Sequence, residues 1–163
     1  MAWTFYTDGA EKVQPVSVTN NTVRVYSLAG QSIPTSTDAT YYTVAFELET
    51  FDYGNLHDNV TNNSRLTAAV AGVYFIYSNI TFDVSTAGDR VSRLKVNGST
   101  PISRSAAVTM SQGAYTKPVV DSTLYYLDAG DYVEVEVSQS SGAALTLTGS
   151  AAWRTHFGMA KIS

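Results

Sequence analysis

Apolar and polar residues alternate along this chain in short runs, and Gly, Asn, Asp or Ser clusters interrupt them about every 8–12 residues. No segment carries a convincing helical period. The pattern predicts strands and turns from end to end. Tyr132–Val137 alternates most cleanly. Val133, Val135 and Val137 share an inner face, and Glu134 and Glu136 point outward. Val23–Tyr26 reads as the first strand of the main domain. In Tyr41–Leu48 the residues Val44, Phe46 and Leu48 share one face, with Glu47 and Glu49 expected in solvent. Phe51–Asn55 is expected to turn and 57–64 to form a polar loop. Val91–Val96, Ser103–Met110 and Ser122–Leu127 are further strands, Asn97-Gly98 is a hairpin signal, and Asp128–Asp131 is a tight turn. Leu145 and Leu147 mark a strand. Trp153–Ile162 closes the chain, with Phe157 and Met159 in the core.

One stretch breaks the alternation. From Val73 to about Val84 the chain is packed with β-branched and aromatic residues, and both faces are apolar at its start. Val73, Phe75 and Tyr77 lie on one face, Tyr74 and Ile76 on the other. A strand apolar on both faces belongs in the middle of something: a sandwich core on one side, a partner subunit or second layer on the other.

The 163 residues fit one domain, with 1–18 as a lead-in or arm and 19–163 as the domain itself. Hydrophobic residues make up 44% and charged residues only 15%, against a usual charged share of about a quarter. Ser, Thr, Asn and Gly fill the difference, the profile of an all-β protein with uncharged polar surfaces. Net charge is −4 with no basic patch in the linear sequence, which argues against nucleic acid. The absence of cysteine excludes disulfides and thiolate zinc sites. The first residues lack the regions of a signal peptide. No run reaches the ~18 apolar residues that would span a bilayer.

Candidate chemistry is sparse. The histidines are His57 and His156, and no nucleophile elbow accompanies them. Glu47 with Glu49, and Glu134 with Glu136, are spaced roughly 7 Å apart by strand rise, within the range of a glycosidase pair. Outward glutamates on an exposed strand are more simply a solubility device. Asp52, Asn55, His57 and Asp58 form a polar cluster whose oxygens could hold calcium, although such clusters usually make turns. Asn20, Asn59, Asn62, Asn79 and Asn97 begin Asn-x-Ser/Thr sequons, which a chain of this composition produces by chance. Among the 11 tyrosines, Tyr41, Tyr42, Tyr53, Tyr115, Tyr125 and Tyr126 are candidates for sugar stacking or ordinary packing.

The order of several motifs resembles the jelly-roll superfamily of the complement globular head and tumour necrosis factor. Phe51-Asp52 and Asn55 come first, then Arg65-Leu66-Thr67-Ala68 and Ala71-Gly72-Val73-Tyr74-Phe75. Leu127-Asp128-Ala129-Gly130-Asp131-Tyr132-Val133 follows, and Phe157-Gly158-Met159 stands near the end. The resemblance runs from about Val25 to Ile162. It implies an all-β jelly-roll sandwich of about ten strands and a homotrimer with Val73, Phe75 and Tyr77 near the threefold axis. It also raises the prospect of calcium at the apex, with Asp52, Asn55 and Asp58 as candidates. The missing cysteines and the surface composition look more like the bacteriophage versions than the animal ones. The expectation is therefore a non-enzymatic virion module, a trimeric knob on a fibre or capsid, assembled in the bacterial cytoplasm and exposed on the particle. Its partners would be itself, other virion proteins and a host-surface glycan or protein, with no nucleic acid and no membrane insertion. The alternatives are the head of a bacterial spore-coat or surface glycoprotein and, less favoured, a glycan hydrolase.

Overall fold

A computed structural model describes residues 21–36, 40–108, 117–149, 151 and 155–163. Twelve strands run through these residues, and no helix occurs among them. In chain order they are β1 Thr22–Tyr26, β2 Ser32–Ile33, β3 Tyr42–Thr43, β4 Leu48–Tyr53, β5 Arg65–Thr67 and β6 Gly72–Phe82, then β7 Asp89–Val96, β8 Thr100–Val108, β9 Lys117–Leu127, β10 Tyr132–Gln139, β11 Leu145–Thr146 and β12 His156–Lys161. One sheet has the order β4-β1-β12-β6-β9. The other has the order β3-β10-β7-β8, and β5 also pairs with β10. A two-stranded ribbon of β11 and β2 supplements them. All the pairings between named strands are antiparallel.

The core lies between the two large sheets. Val23, Val25, Tyr74, Ile76, Ile80, Phe82, Phe157 and Met159 project into it from the first sheet, and Leu94, Val96, Val133, Val135 and Val137 from the second. Phe46 packs against Phe157 with ring centroids 5.6 Å apart. Burying each such side chain contributes roughly 1.5–3 kcal/mol. The Tyr74 hydroxyl donates to the Val70 carbonyl (2.7 Å), so the ring fills the core without orphaning its polar tip.

The Asn97-Gly98 hairpin forms with positive φ at both residues, 50° and 67°, as its residue types demand. Asn97 Nδ2 donates to Asp131 Oδ1, and Asn97 Oδ1 accepts the Tyr132 amide. This clasps the hairpin tip to the 128–131 turn.

Two sequence expectations need correction. The expected strand over Tyr41–Leu48 is divided: Tyr42–Thr43 pairs with β10 in the second sheet, and Leu48–Tyr53 pairs with β1 in the first. The chain crosses between sheets over Val44–Glu47, where the Gln31 side chain takes up the Thr43 carbonyl and the Ala45 amide. The expected turn at Phe51–Tyr53 is strand, and the reversal comes at Gly54-Asn55, both with positive φ. The lead-in, Met110, Tyr115 and Trp153 lie outside the described residues.

The end of the core bounded by β6, β7, β8 and β9 is polar. Ser78 and Asp121 are cross-strand partners in the first sheet, and Ser92 and Ser105 are partners in the second. Asp121 is buried and accepts a hydrogen bond from the Ser103 hydroxyl. Burial pushes its carboxyl above the usual range, only partly opposed by Ser103 and the Ser122 amide. A raised native pKa means the folded protein holds a proton that the unfolded chain releases, so this group's contribution to stability falls as pH rises from about 3.8 through the native pKa. Asp121→Asn removes that dependence. Its thermal midpoint relative to the parent should rise between pH 4 and pH 7; a difference that stays flat or reverses across that interval refutes the account.

Candidate functional site

Among the described residues, every exposed large hydrophobic side chain that lies on a strand belongs to the β4-β1-β12-β6-β9 sheet, and most of them stand on its outward face. Strand β6 explains why. Its even-numbered residues enter the core, so Val73, Phe75 and Tyr77 project away from it. Antiparallel register extends this set across the sheet. One row runs Leu124, Phe75, Ala160, Thr22, Tyr53, and the next runs Ser122, Tyr77, Gly158, Arg24, Phe51. Tyr126 stands opposite Val73, and Val120 opposite Asn79. Phe75 is 40% exposed, Leu124 59% and Tyr126 57%, so these groups stand open to solvent.

Aromatic rings organise the face. Phe75 and Tyr77 stack at 5.8 Å, and the His156 ring meets Tyr77 edge-on at 6.0 Å. Phe51 and Tyr53 stack at 5.6 Å on the far side. Tyr77 lies flat across Gly158, where a Cβ would come within 2.5 Å of its hydroxyl oxygen and 2.6 Å of Cζ. Burial pushes the Tyr77 hydroxyl above its ordinary pKa, while the Arg24 charge and hydrogen bond pull it partly back. The sequence places Val73, Phe75 and Tyr77 together. It does not reveal Leu124, Tyr126, Arg24 or Gly158 as their neighbours, because cross-strand register cannot be read from local alternation.

The outward face of the second sheet is opposite in character. Arg65, Glu134 and Lys95 form one cross-strand row, and Glu136, Arg93 and Arg104 the next. Arg93 Nη2 reaches Glu136 Oε2 at 2.6 Å, and Lys95 bonds the other oxygen of the same carboxylate. Arg65 Nε and the Ser64 hydroxyl both donate to Glu134 Oε1 at 3.2 Å. Arg65 lies over the Tyr132 ring at 4.1 Å and Arg93 over Tyr41 at 3.6 Å. Glu134 and Glu136 do point outward, but they are not solvated; cations cover them and both are buried.

The remaining candidates are engaged locally. Glu47 Oε2 accepts the Leu28 amide at 2.8 Å, and Glu49 Oε1 bonds His57 Nδ1 at 2.9 Å. Glu49 keeps the solvent exposure expected from alternation and Glu47 is half-buried, whereas Glu134 and Glu136 are the two that depart from it. His57 is buried, with Nε2 3.3 Å from the Asn63 carbonyl. Asp52 accepts the amides of Leu56 and His57, and Asp58 Oδ1 accepts those of Val60 and Thr61. These amides hold the Asp58 carboxyl below its usual range. Asn55 adopts positive φ at the reversal. The proposed calcium ligands thus serve as turn caps, and among the described residues no group of three or more His, Cys, Asp or Glu side chains is arranged to hold a metal. Asn59, Asn62 and Asn97 are exposed, Asn79 is half-buried within β6, and Asn20 lies outside the described residues.

Comparison with known proteins agrees with this architecture. The model of the TNF (Tumour Necrosis Factor) family matches residues 55–162. Among solved structures, murine APRIL at pH 5.0 superposes with a TM-score of 0.65 at 15% identity, covering 88% of this chain and 99% of that one. The globular domain of zebrafish complement 1qA superposes with a TM-score of 0.61 at 16% identity, covering 88% and 98%. A search of curated proteins finds no match. The fold is the all-β jelly-roll sandwich of these structures.

Gly158 gives the face a direct test. Gly158→Ala forces its methyl against the Tyr77 ring, and overpacking of this kind costs about 1–3 kcal/mol. Denaturant unfolding should show that loss, and Tyr77→Ala in the same chain should recover most of it. Additive losses in the double variant would mean that Tyr77 does not rest on Gly158.

Proposed function

The chain belongs to the TNF (Tumour Necrosis Factor) family, and on that footing we propose that it is a non-enzymatic binding head that assembles as a homotrimer through the outward face of the β4-β1-β12-β6-β9 sheet. One observation carries the reading: Phe75, Leu124 and Tyr126 stand exposed and contiguous on a sheet whose other side already fills the core. A patch of this kind is unfavourable in water and marks an association surface. The occupant is two further copies of the same chain, each offering the same sheet to a shared axis. The Arg24 guanidinium hydrogen-bonds the Tyr77 hydroxyl within the face, which gives both groups a polar partner when the patch is covered.

The carboxylates support a binding role over a catalytic one. Glycoside hydrolysis needs one carboxylic acid and one carboxylate free to act on a sugar. Here Glu134 and Glu136 are tied to Arg65, Arg93 and Lys95, and Glu47 and Glu49 to Leu28 and His57. We further propose that the head is displayed on a bacteriophage particle. A chain without cysteine and with 15% charged residues suits assembly in a reducing cytoplasm and later exposure to a host surface. Antibody raised against the protein should then label intact particles in electron micrographs, and unlabelled particles would refute the location.

Sedimentation tests the assembly. At micromolar concentration the protein should run at three times its 17.5 kDa chain mass. Phe75→Glu places three unpaired charges at the axis, each costing several kcal/mol, and should give monomers. Because Phe75 faces away from the core, those monomers should keep a β-type circular dichroism spectrum. A stable parent monomer would overturn the reading.

A further inference from the structure

We infer that the outward face of the second sheet is a binding site for an acidic polysaccharide, anchored by Arg104 beside Arg93. The first observation is the register. Arg93 and Arg104 stand directly opposite each other on β7 and β8. Like charges in that position repel. Arg93 is compensated by Glu136. Arg104 is not: it is exposed, its Nε donates to the Tyr41 hydroxyl at 3.3 Å, and among the described residues it meets no carboxylate. Two cations held opposite each other make a local positive excess on a chain of net charge −4, and an anion is attracted to it.

The second observation is depth. The side chains of Glu134 and Glu136 are only 8% and 7% exposed, whereas Arg65 and Arg93 above them are 38% and 24% exposed. The carboxylates lie beneath and the guanidinium groups reach the solvent, so the surface an approaching ligand meets is cationic. Stacking on Tyr41 and Tyr132 holds two of those guanidinium planes in place, which lowers the entropic cost of engaging them.

The third observation selects a polysaccharide over a protein. Protein hot spots are Trp, Tyr and Arg side chains seated in desolvated pockets, and here Tyr41 and Tyr132 are already covered by the chain's own Arg93 and Arg65. The large exposed hydrophobic residues of the described chain lie on the other sheet or on loops, and none lies on this face. A surface of guanidinium and hydroxyl groups suits repeated carboxylate or sulfate groups on a hydroxylated chain.

This inference rests on the reading of the chain as a non-enzymatic binding head and supplies its ligand class. Dextran sulfate, polygalacturonate and poly-glutamate serve as probes in calorimetric titrations of the intact protein at graded salt, with the oligomeric mass followed in parallel. Binding of dextran sulfate or polygalacturonate is expected, weakening as salt rises, and whichever binds tighter identifies sulfate or carboxylate as the recognised group. Arg104→Gln should weaken it about fivefold, whereas Lys161→Gln, matched in net charge on the first sheet, should leave it unchanged. Arg104→Lys should retain part of the affinity. Failure of both polysaccharides, or equal binding by Arg104→Gln and its parent, overturns the inference while an intact trimer leaves the assembly reading standing. Poly-glutamate binding as tight as either polysaccharide overturns it in favour of an acidic protein partner. Loss of the trimer with binding retained would count against the assembly reading alone.

Discussion

Strand β6 has to satisfy two environments at once. Its period-two geometry sends Tyr74, Ile76, Ile80 and Phe82 into the sandwich and Val73, Phe75 and Tyr77 to the opposite side. A one-residue slip would exchange the two sets and put the Tyr74 hydroxyl, now bonded to Val70, out of reach of its acceptor. The register with β12 and β9 is therefore set by packing on both sides. Once set, it fixes where every residue of the outer aromatic face stands, from Leu124 to Tyr53.

The two outward faces divide the work by chemistry. One presents rings stacked on a glycine floor; the other presents cations laid over buried carboxylates. The contrast has a simple origin in the interior. Alternating valines on β10 leave Glu134 and Glu136 on the far side of that strand, and β7 supplies Arg93 and Lys95 at matching positions. Charges that would be of little value alone become a connected lattice when Glu136 receives both Arg93 and Lys95. The interior is not uniformly apolar either. Ser78, Ser92, Ser103 and Asp121 make the β8–β9 end polar, and fully buried Arg90 finds the Ala87 and Asp89 carbonyls and the Phe82 ring.

Much of this was legible in the chain. Period-two alternation located β1, β7 and β10, the Asn97-Gly98 pair located a hairpin, and the doubly apolar start of β6 singled out Val73, Phe75 and Tyr77 for the outer face. What remained hidden depends on register between distant strands. Tyr41–Leu48 looks like one strand because its alternation is continuous, yet the chain changes sheets inside it, with Gln31 supplying hydrogen bonds that no local pattern announces. Glu134 and Glu136 look solvated because local sequence shows only which side they face, not that Arg65, Arg93 and Lys95 converge on them from neighbouring strands. Asp52 and Asp58 have the composition of calcium ligands, but backbone amides within the same loop already occupy oxygens of both carboxylates.

The position of β12 has a consequence for biosynthesis. Although it follows every other strand of the described residues, it lies between β1 and β6 in the middle of its sheet, and both neighbours need its backbone. A nascent chain that has emerged as far as β11 has two separated fragments of that sheet and two open edges. It cannot display Tyr77 on its glycine support, because Gly158 has yet to arrive. Pairing across so long a sequence separation is slow, and the unfinished edges expose the intermediate to aggregation. The same topology is a built-in completeness check: a truncated product lacks the middle of the sheet and cannot form the outer aromatic face.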